Sequence, residues 1–327
     1  MSRSALLGRQ GGLERPSYEP ALVLLQKIPA VSRPRDFLGV YRLVRLIGIG
    51  HTCEVWEAAK SDDKTRYVLK VLKRDLRKSK EDVAALKNEY ECGKSLKHKN
   101  IIRVYDFNTQ GDATYVVMEH FEHKNLKFQL RSGPQQVAHL TLKIIEQGAE
   151  ALFSMHEAGW IHRDVKPDNF LVADDGTLKL IDFAISAKQK SGLSAMFSFG
   201  KKVVQGTRSY MSPEQIRTQN LDGRADLYSY GCVLFELLSG KPPFTGTNAD
   251  ELLNKHLNGP IPNVQVQNDN VTPEFAELLK KMMAKRRENR PASMWEFLSE
   301  FRSMRVLKIL PKPPKPDDPK DHRKGFV

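Results

Sequence analysis

The sequence predicts an α+β fold of two unequal lobes. Strand-like runs crowd residues 41–118, helical patterns dominate after residue 122, and a short hairpin signal stands between the helical stretches. The runs YRLVRLIGIG, EVWEAA, RYVLKVL, IIRVYDF and ATYVVME are rich in the β-branched and aromatic residues that suit a pleated surface. One helix interrupts them. Ser79 followed by Asp82 gives its N-terminal capping pattern, and Val83, Leu86 and Tyr90 recur at helical spacing. Further on, Val137, Leu140, Ile144, Ile145, Ala149 and Leu152 form an apolar stripe. DLYSYGCVLFELLSG is apolar nearly all round, as a central buried helix would be. Between them FLVADDGTLKLIDF reads as two strands around an Asp-Gly turn. The expected organisation is an N-terminal extension (1–36), a small sheet-rich lobe with its connecting strand (37–121), a larger helical lobe (122–305) and a mobile tail (306–327). A cleft between two such lobes is a natural ligand site.

Composition bounds the function. The 327 residues are 40% hydrophobic and 28% charged, as in soluble globular proteins. No apolar run is long enough to span a bilayer, and the start MSRSALLGRQGGLERP lacks the apolar stretch of a secretory signal. The 3 cysteines (Cys53, Cys92 and Cys232) show no paired spacing, so reduced thiols in a cytosol-like, cytoplasmic setting are expected. A net charge of +13 suits nucleic acid, an anionic membrane or a polyanionic ligand. It is spread along the chain without an arginine-rich block, so most of it reads as solvated surface and nucleic acid is not expected as a partner. Near the ends, the run ALVLL at 21–25 is expected to dock, and the Pro/Lys/Asp-rich tail to be extended.

The chemistry gathers in separate segments. In IGIGHTCEVWEA, Gly48 and Gly50 mark a tight turn between strands, where backbone N–H groups approach phosphate oxygens unhindered by a Cβ. A lone G-x-G is more often a plain hairpin, and this one does not open a helix, against a dinucleotide-binding turn. Lys70 in YVLK stands on a half-buried strand, either as a snorkelling side chain or as an ammonium held over phosphates. The second role needs a fixing carboxylate, and Glu89 on the helix supplies one. IHRDVKPDNFLV places Asp164, Lys166 and Asn169 on a loop before the hairpin. Phosphoryl transfer needs a carboxylate to orient the attacking hydroxyl, a cation near the transferred group and oxygen ligands for Mg²⁺. Asp164 fits the first need, Lys166 the second, and Asn169 with Asp182 the third. A hydrated divalent ion would explain why the lone carboxylate Asp182 sits in an apolar stretch.

Taken in order, GIGHTCEV, VLK with Lys70, Glu89, HRDVKPDN, DFA, GTRSYMSPE, DLYSYG and ENRP resemble the eukaryotic-type (Hanks-type) protein kinase family, most of all its bacterial serine/threonine members. The resemblance covers about Tyr41 to Arg305. It implies a bilobal protein-kinase-like fold, ATP and Mg²⁺ as cofactors, and transfer to a protein hydroxyl. Autophosphorylation is among the expected outcomes; a nucleotide-binding pseudokinase scaffold with little turnover is the alternative. By resemblance, Ile47, Gly48, Ile49, Gly50 and His51 cover the phosphates. Val55, Val68 and Leu171 sandwich adenine, and Met118 gates the hinge Glu119–Phe121. Glu214 pairs with Arg290, and Asp226 braces the catalytic loop. Lys166-Pro167 with Thr207 resembles the serine/threonine class.

The departures from the family pattern are specific. Cys53 occupies the third glycine position of the phosphate loop, Val68 is larger than the usual alanine, and Ala184 replaces the glycine of the metal-binding tripeptide. Ala184 is expected to disfavour positive φ and so restrict flipping of Asp182-Phe183. Gly93 stands where relatives carry an apolar side chain, stacked with Val104, His162 and Phe183. It is expected to leave a leucine-sized gap, which a leucine there would fill. Arg163 precedes Asp164, as in relatives gated by phosphorylation. The segment from Asp182 to Glu214 offers Ser191, Ser194 and Ser198, but has Lys201 and Lys202 just before GTRSY. Phosphorylation gating is therefore not expected, and Thr207 reads as a structural contact to Asp164 and Lys166.

Overall fold

The computed structural model describes residues 37–60, 65–189 and 206–313. The ALVLL run, the three serines, Lys201, Lys202 and residues 314–327 lie outside the described residues. Strands β1 (Phe37–Leu38), β2 (Tyr41–Ile49), β3 (Cys53–Lys60), β4 (Arg66–Leu72), β5 (Val104–Gln110) and β6 (Ala113–Glu119) form one antiparallel sheet in the order β1-β2-β3-β4-β6-β5. Helix α1 (Lys80–Ser95) crosses it, its first turn capped by the Ser79 side chain, which accepts from the Asp82 N–H. IIRVYDF becomes a sheet strand only from Val104. Ile101 and Ile102 are diverted to the other lobe, where the Ile102 N–H donates to the Leu180 carbonyl at 2.9 Å.

The period-2 alternation of a strand sorts the sheet into two faces. Ala58, Leu69, Val71, Tyr115 and Val117 make a small core on one side. On the other, Val55 stands opposite Lys70, and Val68 opposite Met118, so these four share one face. That face joins the main core, which runs from Cys53, Leu72 and Cys92 through Val104 and Phe183 into the large lobe.

The large lobe contains α2 (Leu126–Arg131), α3 (Thr141–Glu157), the strands β7 (Trp160–Ile161), β8 (Phe170–Val172), β9 (Leu178–Leu180) and β10 (Ala187–Lys188), and α4 (Pro213–Ile216), α5 (Gly223–Ser239), α6 (Ala249–Asn258), α7 (Pro273–Met282) and α8 (Met294–Ser303). β8 and β9 form the expected antiparallel hairpin. The stripe begun at Val137 enters α3 only at Thr141; its first residues sit in short 3-10 turns. α5 is buried from Ala225 to Leu238. Glu214 meets Arg290 in a buried, bidentate pair at 2.7 and 2.9 Å. All three cysteines are buried and free, and no helix among the described residues is long and apolar enough to cross a membrane.

Two expectations need correction. The tail does not start at 306. Val306 and Leu307 are buried, Leu307 bridges Val271, and the Lys308 N–H donates to the Asn270 carbonyl at 2.7 Å. Two apolar side chains just past α8 have a core to enter, and the backbone follows them. Nor does Gly93 leave a gap. A Cβ there would overlap Val104 Cγ2 and lie 3.2 Å from Phe183 Cδ2, because those side chains already fill the place. Replacing Gly93 with Leu therefore lowers stability, by roughly 1–3 kcal/mol of overpacking strain. Val104→Ala in the same chain recovers part of the loss. Thermal unfolding of the single and double variants checks both, and a stabilised Leu variant would show that the stack has slack.

Candidate active site

The site grows from the hairpin β8–β9 and the loop that precedes it. The Ile181 N–H donates to the Asn169 carbonyl at 3.0 Å, so the chain leaves β9 beside the start of β8 and sets Asn169 and Asp182 at neighbouring strand ends. Asp182 has φ 69°. Its short polar side chain tolerates this left-handed conformation better than most. Ala184 is not among the positive-φ residues, so its methyl meets no backbone penalty in this conformation.

Lys70 reaches from β4 to two carboxylates. Its Nζ lies 2.9 Å from Asp182 Oδ1 and 2.9 and 2.7 Å from the two oxygens of Glu89. Burial alone would lower the Lys70 pKa, but Glu89 and Asp182 outweigh it and hold the ammonium protonated. Burial pushes Glu89 up, with Lys70 opposing. The Lys70 charge draws Asp182 down to about 2 against the opposing effect of burial.

Across the cleft, Asp164 is held from several sides. Its Oδ1 accepts from the Thr207 N–H and hydroxyl, both at 2.9 Å, and its Oδ2 from Lys166 at 2.6 Å. Lys166 also donates to the Thr207 hydroxyl at 3.0 Å, the structural contact expected of that threonine. Asn169 spends its Nδ2 on the Asp164 carbonyl at 2.8 Å, and its amide oxygen is the atom remaining for a cation. The loop is fixed from below by Asp226, which accepts from the N–H groups of His162 (2.7 Å) and Arg163 (2.9 Å) and from His156 Nε2 (2.8 Å). His162 donates from Nε2 to the Ile181 carbonyl and accepts the Asp164 N–H at Nδ1, which sets its tautomer. Arg163 has φ 70°, and its carbonyl accepts from Gln215 Nε2 at 2.8 Å. Gly206 is required beside it, since a Cβ at its φ of 115° would come 2.9 Å from that carbonyl.

The other expected site residues fall into groups. Val55, Val68, Lys70 and Met118 share the inner sheet face. Ile47, Gly48, Ile49, Gly50 and His51 form the end of β2 and the turn into β3, closed by the Gly50 N–H on the Cys53 carbonyl at 2.8 Å. Ile49 is 67% exposed. Glu119 turns its carboxylate away from that face, onto Lys179 at 3.0 Å and the Arg103 N–H at 3.0 Å. The Phe121 ring lies against His123, and Leu171 is half-buried on β8 opposite Lys179. Sequence reasoning did not single out Asn88 or Gln215. The available signal for Asn88 was an amide four residues before the buried Cys92, on a face that otherwise turns inward.

A family profile described as "Protein kinase domain" matches residues 41–300. The chain belongs to the protein kinase domain family. It is 32% identical over 259 residues to a probable serine/threonine-protein kinase of Streptomyces coelicolor, covering 78% of this chain and 38% of the relative. It is also 32% identical over 270 residues to the serine/threonine-protein kinase PknB of Mycolicibacterium smegmatis, covering 80% and 42%. With the serine/threonine-protein kinase PrkC of Bacillus subtilis the identity is 32% over 247 residues, covering 76% and 38%. The chain thus spans about two fifths of the length of these curated relatives.

Within this kinase-family fold, Asp226 offers a direct pH test. Burial alone would raise its carboxyl, but donors from His156 and His162 hold it below its ordinary value of 3.8. A carboxyl depressed in the folded state contributes stability above its unfolded pKa and loses it as the pH falls through the folded value. In Asp226→Asn an NH₂ must face at least one N–H donor, so the protein is less stable at neutral pH. Its stability also falls less than wild type as the pH drops below about 4. Urea unfolding between pH 3 and 7 measures both.

Proposed function

We propose that this chain is an Mg²⁺- and ATP-dependent serine/threonine protein kinase, moving the terminal phosphoryl group of ATP to a hydroxyl of a protein, its own chain included. The single observation that carries the reading is the placement of Asp164 and Lys166. They are locked together by Thr207, on a loop whose next residues lead to Asn169 and, across the hairpin, to Asp182 and Lys70. Asp164 orients the acceptor hydroxyl and takes its proton, a contribution of about 10²–10⁴ in rate. Lys166, bound to Asp164 and Thr207, offsets charge that develops on the transferred group. Lys70, held by Glu89, binds phosphate oxygens.

The donor set fits magnesium. Among the described residues no group of three or more His, Cys, Asp or Glu forms a metal cluster. One carboxylate (Asp182) and one amide oxygen (Asn169) suit an ion that arrives on phosphates rather than one caged by protein alone. When bound, Mg²⁺ neutralises phosphate charge. For the nucleotide, the Ile47–His51 turn covers the phosphates and Val55, Val68 and Leu171 take the base. Met118 stands at the gate of the Glu119–Phe121 hinge. The Glu119 N–H is already given to the Arg103 carbonyl at 2.8 Å. The buried, free cysteines support work in a reducing, cytoplasmic setting.

Purified protein with Mg²⁺ and labelled ATP transfers phosphate to itself or to a basic protein. Asp164→Asn and Lys70→Met each reduce transfer by at least about 10²-fold. Asp182→Asn also loses the Mg²⁺-dependent rise in melting temperature with ATP. A wild type that shows the melting shift but transfers nothing is a nucleotide-binding scaffold instead.

A further inference from the structure

We infer that Asn88 is a positioning residue. Its amide couples helix α1 to the turn carrying Asp182, so that the Glu89–Lys70 pair and the carboxylate proposed to hold the metal keep one arrangement. The inference rests on the reading of Asp182 given above. Asn88 sits one residue before Glu89. Its Nδ2 donates to the carbonyls of Phe183 (3.2 Å), Ala184 (3.1 Å) and Ser186 (2.8 Å). These three oxygens belong to the irregular turn between β9 and β10, outside any strand ladder; the Phe183 carbonyl also accepts from the Ser186 N–H at 3.1 Å. A primary amide has two hydrogens, so the carbonyls share them, with Ser186 the shortest contact.

The neighbouring residue is linked to the same turn through an ion pair. The Glu89 carboxylate accepts from Lys70, whose Nζ also donates to Asp182 Oδ1 at 2.9 Å. Two consecutive helix residues therefore reach one short turn, Asn88 through the turn's carbonyls and Glu89 through Lys70 and the Asp182 side chain. Apolar packing cannot set this geometry alone. At Gly93 the helix presents only backbone to Val104 and Phe183, a smooth contact that resists separation but not sliding. Hydrogen bonds are directional and fix the register that this contact leaves open. The choice of an amide follows, since a carboxylate of the same shape would set acceptor against acceptor.

Asn88→Asp keeps the shape and removes the donors, while Asn88→Leu keeps comparable bulk. Two readouts follow. The first is amide hydrogen exchange over residues 183–189 of the ligand-free chain, which speeds up by about tenfold or more in both variants. The second is ATP affinity from melting shifts with and without Mg²⁺. The variants weaken binding about tenfold with Mg²⁺ and little without it. In an Asp182→Asn background Asn88→Leu adds no further weakening, because the path runs through Asp182. Equal losses with and without Mg²⁺, or additive losses in the double variant, would reduce Asn88 to a general structural role and overturn the inference. Unchanged exchange over the turn overturns it also. A wild type that transfers no phosphate sinks the kinase reading alone, and one that binds no nucleotide leaves the exchange experiment to decide on Asn88.

Discussion

The Lys70 ammonium lies between two carboxylates that come from different parts of the chain, Glu89 on α1 and Asp182 after β9. An ammonium largely removed from water is costly unless it is paired, so β4, α1 and the Asp182 turn must all be in place before the charge is compensated. Such a pair adds little net stability over well-packed apolar groups, but it specifies an arrangement. Here the specified arrangement is the approach of the small lobe to the large one. Glu89 side-chain exposure is 1% and that of Asp182 is 35%, which leaves Asp182 the member of the triad open toward the cleft.

The rest of the inter-lobe contact serves that geometry. The segment after α1 is stitched to β9 by backbone bonds from Leu180 to Asn100 and from Ile102 to Leu180, at 2.8 and 2.9 Å. Asn100 also donates to the Leu178 carbonyl at 2.9 Å. The C-terminal end of α1 is thereby tied to the same hairpin that sets Asp182. Beneath it, Phe183 packs edge-on to His162, and the backbone of His162 rests on Asp226 in the buried α5. Arg163 and Asp182 adopt left-handed backbone conformations on either side of this stack. Such strain persists only where neighbours over-determine it, and Asp226, Gln215 and Lys70 supply those constraints.

Three of the four departures from the family pattern, Cys53, Ala184 and Gly93, are each absorbed locally. Cys53 is buried opposite Leu72, where a small apolar side chain extends the core rather than obstructing the turn. Ala184 occupies ordinary backbone space. Gly93 lets Val104 and Phe183 close over the helix. None of the three displaces Lys70, Glu89, Asp164 or Asp182, and so none removes a group that the proposed chemistry uses.

Local pattern was enough to read the long strand runs of the small lobe, α1, the β8–β9 hairpin, the buried α5 and the polar residues of the HRDVKPDN and DFA segments. These follow from local periodicity, turn chemistry and motif spacing, which are properties of neighbouring residues. The sequence also anticipated the Glu214–Arg290 pair and the support that Asp226 gives the loop, through family resemblance rather than pattern. Only the tertiary structure decided the fate of Gly93, the true start of β5, the docking of Val306 and Leu307, and the role of Asn88. Each depends on what another segment brings alongside: Val104 over Gly93, β9 beside Ile101, Val271 beside Leu307, and carbonyls of an irregular turn beside Asn88. Whether a space is filled, or a carbonyl needs a donor, is a non-local property that no periodicity records.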